Sequence, residues 1–135
     1  MRHLFHLAAA VAVTLPFAAI APAQPARPER VQFARGASSA AIKGMLKGDQ
    51  SRTFLVNLRA GQTVTVRLQS ANASANFNVT APGAAEAMFI GSVSGTDFTA
   101  VVPSSGDYRI DLFLMRSAAR RNEATSFTIT IGARG

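Results

Sequence analysis

The chain has 135 residues, no cysteine and no tryptophan, and 14 Lys and Arg against 7 Asp and Glu give it a formal net charge of +7. Without cysteine there is no disulfide framework, no acylated cysteine anchor and no thiol chemistry. A positive balance of this size favours an acidic partner: nucleic acid, anionic lipid or an acidic protein surface.

Arg2, His3 and His6 precede a weakly apolar run over residues 7–20, interrupted by Thr14 and Pro16, and Ala21-Pro22-Ala23 then supplies a small-x-small pattern. This reads as a secretory signal peptide over residues 1–23, cleaved before Gln24, rather than an uncleaved membrane anchor, because the run is Ala-rich, contains a proline and is barely long enough to span the hydrocarbon. Its removal leaves 112 residues, enough for one domain with its own core, and takes away Arg2 and no acid, so the charge falls to +6. Export makes nucleic acid the least favoured of the three partners. No later segment reaches transmembrane length and no amphipathic helix would lay the chain on a membrane.

Residues 24–29, with Pro25 and Pro28, read as a flexible leader, and residues 30–135 as a single domain. Residues 30–34 form a first short strand. Residues 40–46 form a second, in which Gly44 marks a bulge or a close backbone contact. Phe54, Val56 and Leu58 alternate with Leu55 and Asn57; Arg59-Ala60-Gly61-Gln62 then reads as a hairpin turn into Val64, Val66 and Leu68. Asn72-Ala73-Ser74 and Asn78-Val79-Thr80 fit the glycosylation pattern, which matters only in a eukaryotic secretory pathway. Weaker strands are expected at 77–81, 87–90 and 97–102.

Tyr108, Ile110, Leu112 and Leu114 then alternate with Arg109, Asp111 and Phe113, residues 117–121 allow a single helical turn, and Phe127, Ile129 and Ile131 alternate with threonines. Eight or nine period-two segments split by turn residues imply an all-β fold, an antiparallel β-sandwich of about eight strands in two sheets, with a closed barrel as the alternative.

Both histidines leave with the signal, so the remaining chain lacks His as well as Cys. Ser-His-Asp triads, Cys-His dyads and His- or Cys-ligated metal sites are excluded. The seven acids are scattered without metal-loop or paired-carboxylate spacing, no glycine loop is followed by the lysine of a phosphate site, and Lys43 and Lys47 lack a serine-activating motif. An enzyme is not expected, nor a cofactor or metal. The strongest functional signal is Arg116, Arg120 and Arg121. Three guanidiniums within six residues repel one another unless solvent or an anionic partner lies between them, so the segment is a solvated tip or a binding prong.

The chain resembles the periplasmic inhibitors of goose-type (g-type) lysozyme. The resemblance is carried by R-V-Q-F-A-R-G-A-S-S-A at 30–40, L-K-G at 46–48, A-G-Q-T-V-T-V at 60–66, S-G-D-Y at 105–108 and M-R-S-A-A-R-R at 115–121, and it covers nearly the whole domain. It implies an exported, non-catalytic β-sandwich of the Gram-negative periplasm that plugs the cleft of g-type lysozyme. Arg116 and Arg120 would then meet acidic residues of that cleft, with Arg121 beside them or paired to Glu123, and Ser105, Gly106 and Tyr108 would form a turn shared among lysozyme-inhibitor families. Such inhibitors tend to carry an aromatic residue directly after the L-K-G stretch, where this chain has Asp49. The turn-and-strand pattern and the S-G-x-Y turn are also similar to prepeptidase C-terminal accessory domains, which would make the chain a binding module for an envelope polysaccharide or another extracellular polymer.

Overall fold

The structure is a computed structural model that describes residues 10–16 and 27–135. Most of the expected signal peptide and residues 24–26 of the leader lie outside the described residues.

Among the described residues, nine strands form two packed sheets. One sheet has the order β1 (Glu29–Arg30), β3 (Ser51–Leu58), β8 (Gly106–Leu114), β5 (Ala75–Thr80) and β6 (Phe89–Ile90). The other has the order β2 (Ser39–Lys47), β9 (Ala124–Arg134), β4 (Thr63–Ser70) and β7 (Asp97–Val101). Two short helical turns, α1 (Gly91–Ser94) and α2 (Arg116–Arg120), interrupt the strands. All pairings are antiparallel except that of β1 with β3, which is parallel and two residues long.

Period-two alternation dictates the core. Side chains of a strand point alternately to opposite faces, so every second residue can be apolar and inward. Phe54, Val56, Leu58, Phe77, Val79, Tyr108, Ile110, Leu112 and Leu114 from one sheet face Leu46, Val64, Val66, Leu68, Phe98, Phe127, Ile129 and Ile131 from the other, all buried. The sandwich expected from the sequence is the fold observed. Among the described residues, no helix is long and apolar enough to cross a membrane.

Some local expectations change. Residues 59–62 do not close a hairpin: β3 and β4 lie in different sheets, and the turn carries the chain from one to the other. Both strands place their apolar face on the same core, and a tight turn can satisfy this by crossing the sandwich as well as by pairing its flanks. Gln62 N–H donates to the Arg59 carbonyl at 3.0 Å, and the pair Gly61 N–H to Val102 O and Val102 N–H to Gln62 O fastens the turn to the end of β7. The first strand is Glu29–Arg30 rather than 30–34, so Glu29, read as leader, belongs to the sheet; beyond it Val31 N–H still reaches Leu55 O at 2.8 Å.

The three weaker strands appear with shifted limits, and α1 was not foreseen. Gly44 makes no bulge, since pairing runs unbroken through Gly44 opposite Phe127. It serves close approach instead: the Arg52 guanidinium and the Phe127 ring fill the space a Cβ would take. Arg52 lies 5.4 Å from the Phe54 ring centroid and 5.3 Å from that of Phe127, and it pairs with Glu29 at 2.6 Å. A long cation thus lies within cation–π distance of two core aromatics while its charge meets Glu29.

Candidate functional site

The residues expected to form one site lie at the two ends of the sandwich. β8 begins at Gly106 and ends at Leu114, and nine extended residues at about 3.3 Å each separate its ends by roughly 25–30 Å. Ser105, Gly106 and Tyr108 stand at the first end. Arg116, Arg120 and Arg121 follow the second.

At the first end each residue has a structural task. Tyr108 is completely buried, and its hydroxyl donates to the Ser104 carbonyl at 2.7 Å, four residues upstream, with the Ser104 hydroxyl 3.3 Å away. This fixes a corner in the way a buried tyrosine does in other sandwiches. The Ser105 hydroxyl accepts the Ala60 N–H at 2.8 Å and so ties this turn to the one between β3 and β4. Gly106 has φ of 143°, a conformation that side chains disfavour, and a Cβ there would press on the Pro82 ring. Asp107 accepts a two-pronged Arg30 guanidinium at 3.0 and 2.9 Å and the Asn57 amide at 3.0 Å. Those hydrogen bonds, Arg30 first and then Asn57, lower its carboxyl to a pKa of about 2. The turn therefore builds the sandwich, and Tyr108 has no surface to offer a partner.

At the second end the chain leaves β8, makes the single turn α2 and re-enters the opposite sheet as β9. Ala118 is fully buried and pins the turn to the core, while Arg116 and Arg120, four residues apart, are both exposed. Residues i and i+4 share one face of a helix, so the two guanidiniums leave the sandwich together. Asn122 ends the turn with φ of 54°. Its N–H reaches Ala119 O at 3.0 Å and Glu123 N–H reaches Ala118 O at 3.1 Å, which is a Schellman motif with asparagine in the left-handed position. Helix α2 has no acid in its first turn and no side-chain cap, so Arg116 sits where a cation is least favoured by the backbone dipoles.

Charge pairing separates the three arginines. Arg121 Nε donates to Glu123 at 2.5 Å, and the other Glu123 oxygen accepts the Asn72 amide at 2.9 Å. The Asn72 hydrogen bond, and after it that of Arg121, holds the Glu123 carboxyl below the ordinary glutamate range. Among the described residues Arg116 and Arg120 have no ion-pair partner. Asp49 is exposed in the turn between β2 and β3 and makes no ion pair either. That turn sits against the arginine loop: Gly48 N–H donates to Glu123 O at 2.8 Å, and a Cβ on Gly48 would strike the Asn122 side chain. Asp49 and the arginines thus belong to one end of the molecule.

The residues that sequence reasoning missed are Asn72, Ser74 and Asn122. Asn72 was legible only as part of a glycosylation pattern, because its partner Glu123 lies 51 positions away.

Among the described residues, then, two cations without an ion-pair partner project from one turn at the end of a β-sandwich. The comparisons supply the class. The chain is similar to PliG of Aeromonas hydrophila, a periplasmic lysozyme inhibitor of g-type lysozyme, at 36% identity over 79% of this chain and 96% of that one, with a TM-score of 0.72. It is similar to PliG of Salmonella Typhimurium, a periplasmic lysozyme inhibitor of the same type, at 26% identity over 81% and 99%, with a TM-score of 0.63. A PliG mutant from Escherichia coli shares the fold, at 24% identity and a TM-score of 0.62. No protein-family model and no curated protein matches the chain. The chain belongs to the PliG family of periplasmic lysozyme inhibitors, proteins that inhibit rather than catalyse.

Proposed function

We propose that this chain is an exported inhibitor of g-type lysozyme that places Arg116 and Arg120 in the acidic substrate cleft of the enzyme. The observation that carries the reading is the pair of exposed guanidiniums without a carboxylate, set on one face of α2. A glycoside hydrolase keeps carboxylates beside the bond it cleaves, and guanidinium is planar, permanently charged and able to bind a carboxylate through two parallel hydrogen bonds. Exposed pairs of this kind contribute about 0 to 1 kcal/mol, whereas truncating one partner of a desolvated interfacial pair costs about 2 to 5 kcal/mol. The cleft supplies the desolvation.

Arg121, held by Glu123, stands back from the contact, and Asp49 lies at its border. Ser105, Gly106 and Tyr108 support the fold at the far end. Residues 1–23 direct export, and action is in the periplasm. A polysaccharide-binding module would need exposed aromatic platforms; the large hydrophobics exposed among the described residues are Val, Leu, Ile and Met only.

The test is lysis of peptidoglycan-exposed cells by g-, c- and i-type lysozymes with the protein lacking residues 1–23 added. Inhibition of the g-type enzyme is expected, with association slowing as salt rises because exposed charges are screened beyond about 8 Å at physiological ionic strength. Absence of inhibition in all three classes would contradict the proposal.

A further inference from the structure

The loop that carries Arg116 and Arg120 is gripped at both ends by the same short segment. Before α2, Met115 N–H donates to Ser74 O at 2.8 Å. After α2, Glu123 accepts the Asn72 side-chain amide at 2.9 Å. Asn72 and Ser74 are themselves one closed turn, with Asn72 Oδ1 accepting Ser74 N–H at 2.9 Å and the Ser70 hydroxyl donating to Asn72 O at 2.6 Å. From the other side, the turn between β2 and β3 reaches in through Gly48 N–H to Glu123 O at 2.8 Å. Glu123 thereby joins the turn after β4, the turn after β2 and its own loop, while its second oxygen occupies Arg121.

We infer that Glu123, acting with Asn72, is a positioning residue of the inhibitor: it fixes the direction in which Arg116 and Arg120 leave the sandwich and draws Arg121 away from them. This rests on the reading given under Proposed function. The physics is that of pre-organisation. A loop already ordered in its bound shape loses less freedom on binding, and the gain falls mainly on dissociation. The Glu123 carboxylate also offsets one guanidinium, so removing it frees Arg121 and adds positive charge, which steers an acidic partner in faster. The two effects act on different rate constants. A residue that only stabilised the sandwich would change neither while the protein remained folded.

The experiment compares the full domain with Glu123→Gln, Glu123→Ala and Asn72→Ala on immobilised g-type lysozyme, reading both rate constants. Glutamine keeps an acceptor for Asn72 and loses the charge; alanine loses both. Dissociation is expected to be about tenfold faster in Glu123→Ala and Asn72→Ala and less affected in Glu123→Gln, with association equal or faster in both Glu123 variants. Dissociation rates equal to the parent's in all three would overturn the inference, whether or not melting falls. A second arm reads amide hydrogen exchange of residues 117–122 in the free proteins. Faster exchange there, with β3 and β8 still protected, is expected for Glu123→Ala, and unchanged protection would overturn the inference. Should the parent fail to bind g-type lysozyme, the proposed function falls by itself and the exchange arm alone decides the positioning role.

Discussion

Replacing Tyr108 by phenylalanine removes one oxygen atom and leaves a fully buried ring in place. The lost hydroxyl donates to Ser104 O at 2.7 Å. A neutral hydrogen bond of this kind contributes about 1 kcal/mol net, and because Ser104 is exposed its carbonyl can turn to water, so the larger cost of a stranded buried acceptor does not arise. A domain of roughly 107 residues melts with an entropy of about 0.22 kcal/mol/K, and the loss of about 1 kcal/mol lowers Tm by roughly 4 to 5 °C. Inhibition of g-type lysozyme at 25 °C, where the variant stays folded, is expected to match the parent, since the corner lies at the end of β8 remote from α2. Calorimetry together with an inhibition titration gives both numbers. An unchanged Tm with inhibition weakened tenfold or more would refute the reasoning and return the S-G-D-Y turn to the binding surface.

Asn122→Ala places a side chain without local hydrogen-bonding ability at φ of 54° and should cost about 1 kcal/mol in urea unfolding, whereas Asn122→Gly should be nearly neutral; equal stability of Ala and parent would contradict the Schellman assignment. Gly44→Ala forces a methyl into the Arg52 and Phe127 contact and should cost about 1 to 3 kcal/mol, less when Arg52 is also replaced by alanine; full additivity of the two changes would contradict the contact. Asp107, with its folded carboxyl depressed to about 2 from an ordinary 3.8, contributes stability that is complete above the ordinary value and is lost as pH falls from there toward the folded one. Protection of the Val31 amide, taken relative to its intrinsic exchange rate at each pH, should therefore fall between pH 4 and pH 2, and in Asp107→Asn it should be low throughout; constant protection in the parent would contradict the Arg30 to Asp107 link.

Most of the sandwich was readable because burial leaves a period-two trace: the alternation at 54–58, 64–68, 108–114 and 127–131 marks inward faces wherever the strands happen to pair. Which sheet each strand joins left no such trace. A Gly-containing turn such as 59–62 looks the same whether it closes a hairpin or crosses the sandwich, since both keep the apolar faces on one core. The two-residue strands β1 and β6 are too short to alternate at all.

At the site, the pairing of Arg121 with Glu123 was legible because the residues are neighbours, and so was the i, i+4 relation of Arg116 and Arg120. The grip of Asn72 and Ser74 on the loop was not, because it joins segments about 40 to 50 positions apart through single hydrogen bonds with no sequence pattern. Tyr108 was legible as part of an alternating strand, yet its place in a motif made it seem a contact; only burial shows that its hydroxyl is spent on the corner.

The central claim is that Arg116 and Arg120 carry the inhibition. The direct measurement is the dissociation constant for g-type lysozyme of Arg116→Ala, Arg120→Ala and the double variant, each with its melting temperature. Both residues are exposed and, among the described residues, without an ion-pair partner, so each single change should leave stability within about 0.5 kcal/mol while weakening binding by about 2 kcal/mol or more, roughly 30-fold. Undiminished binding by the double variant would contradict the account.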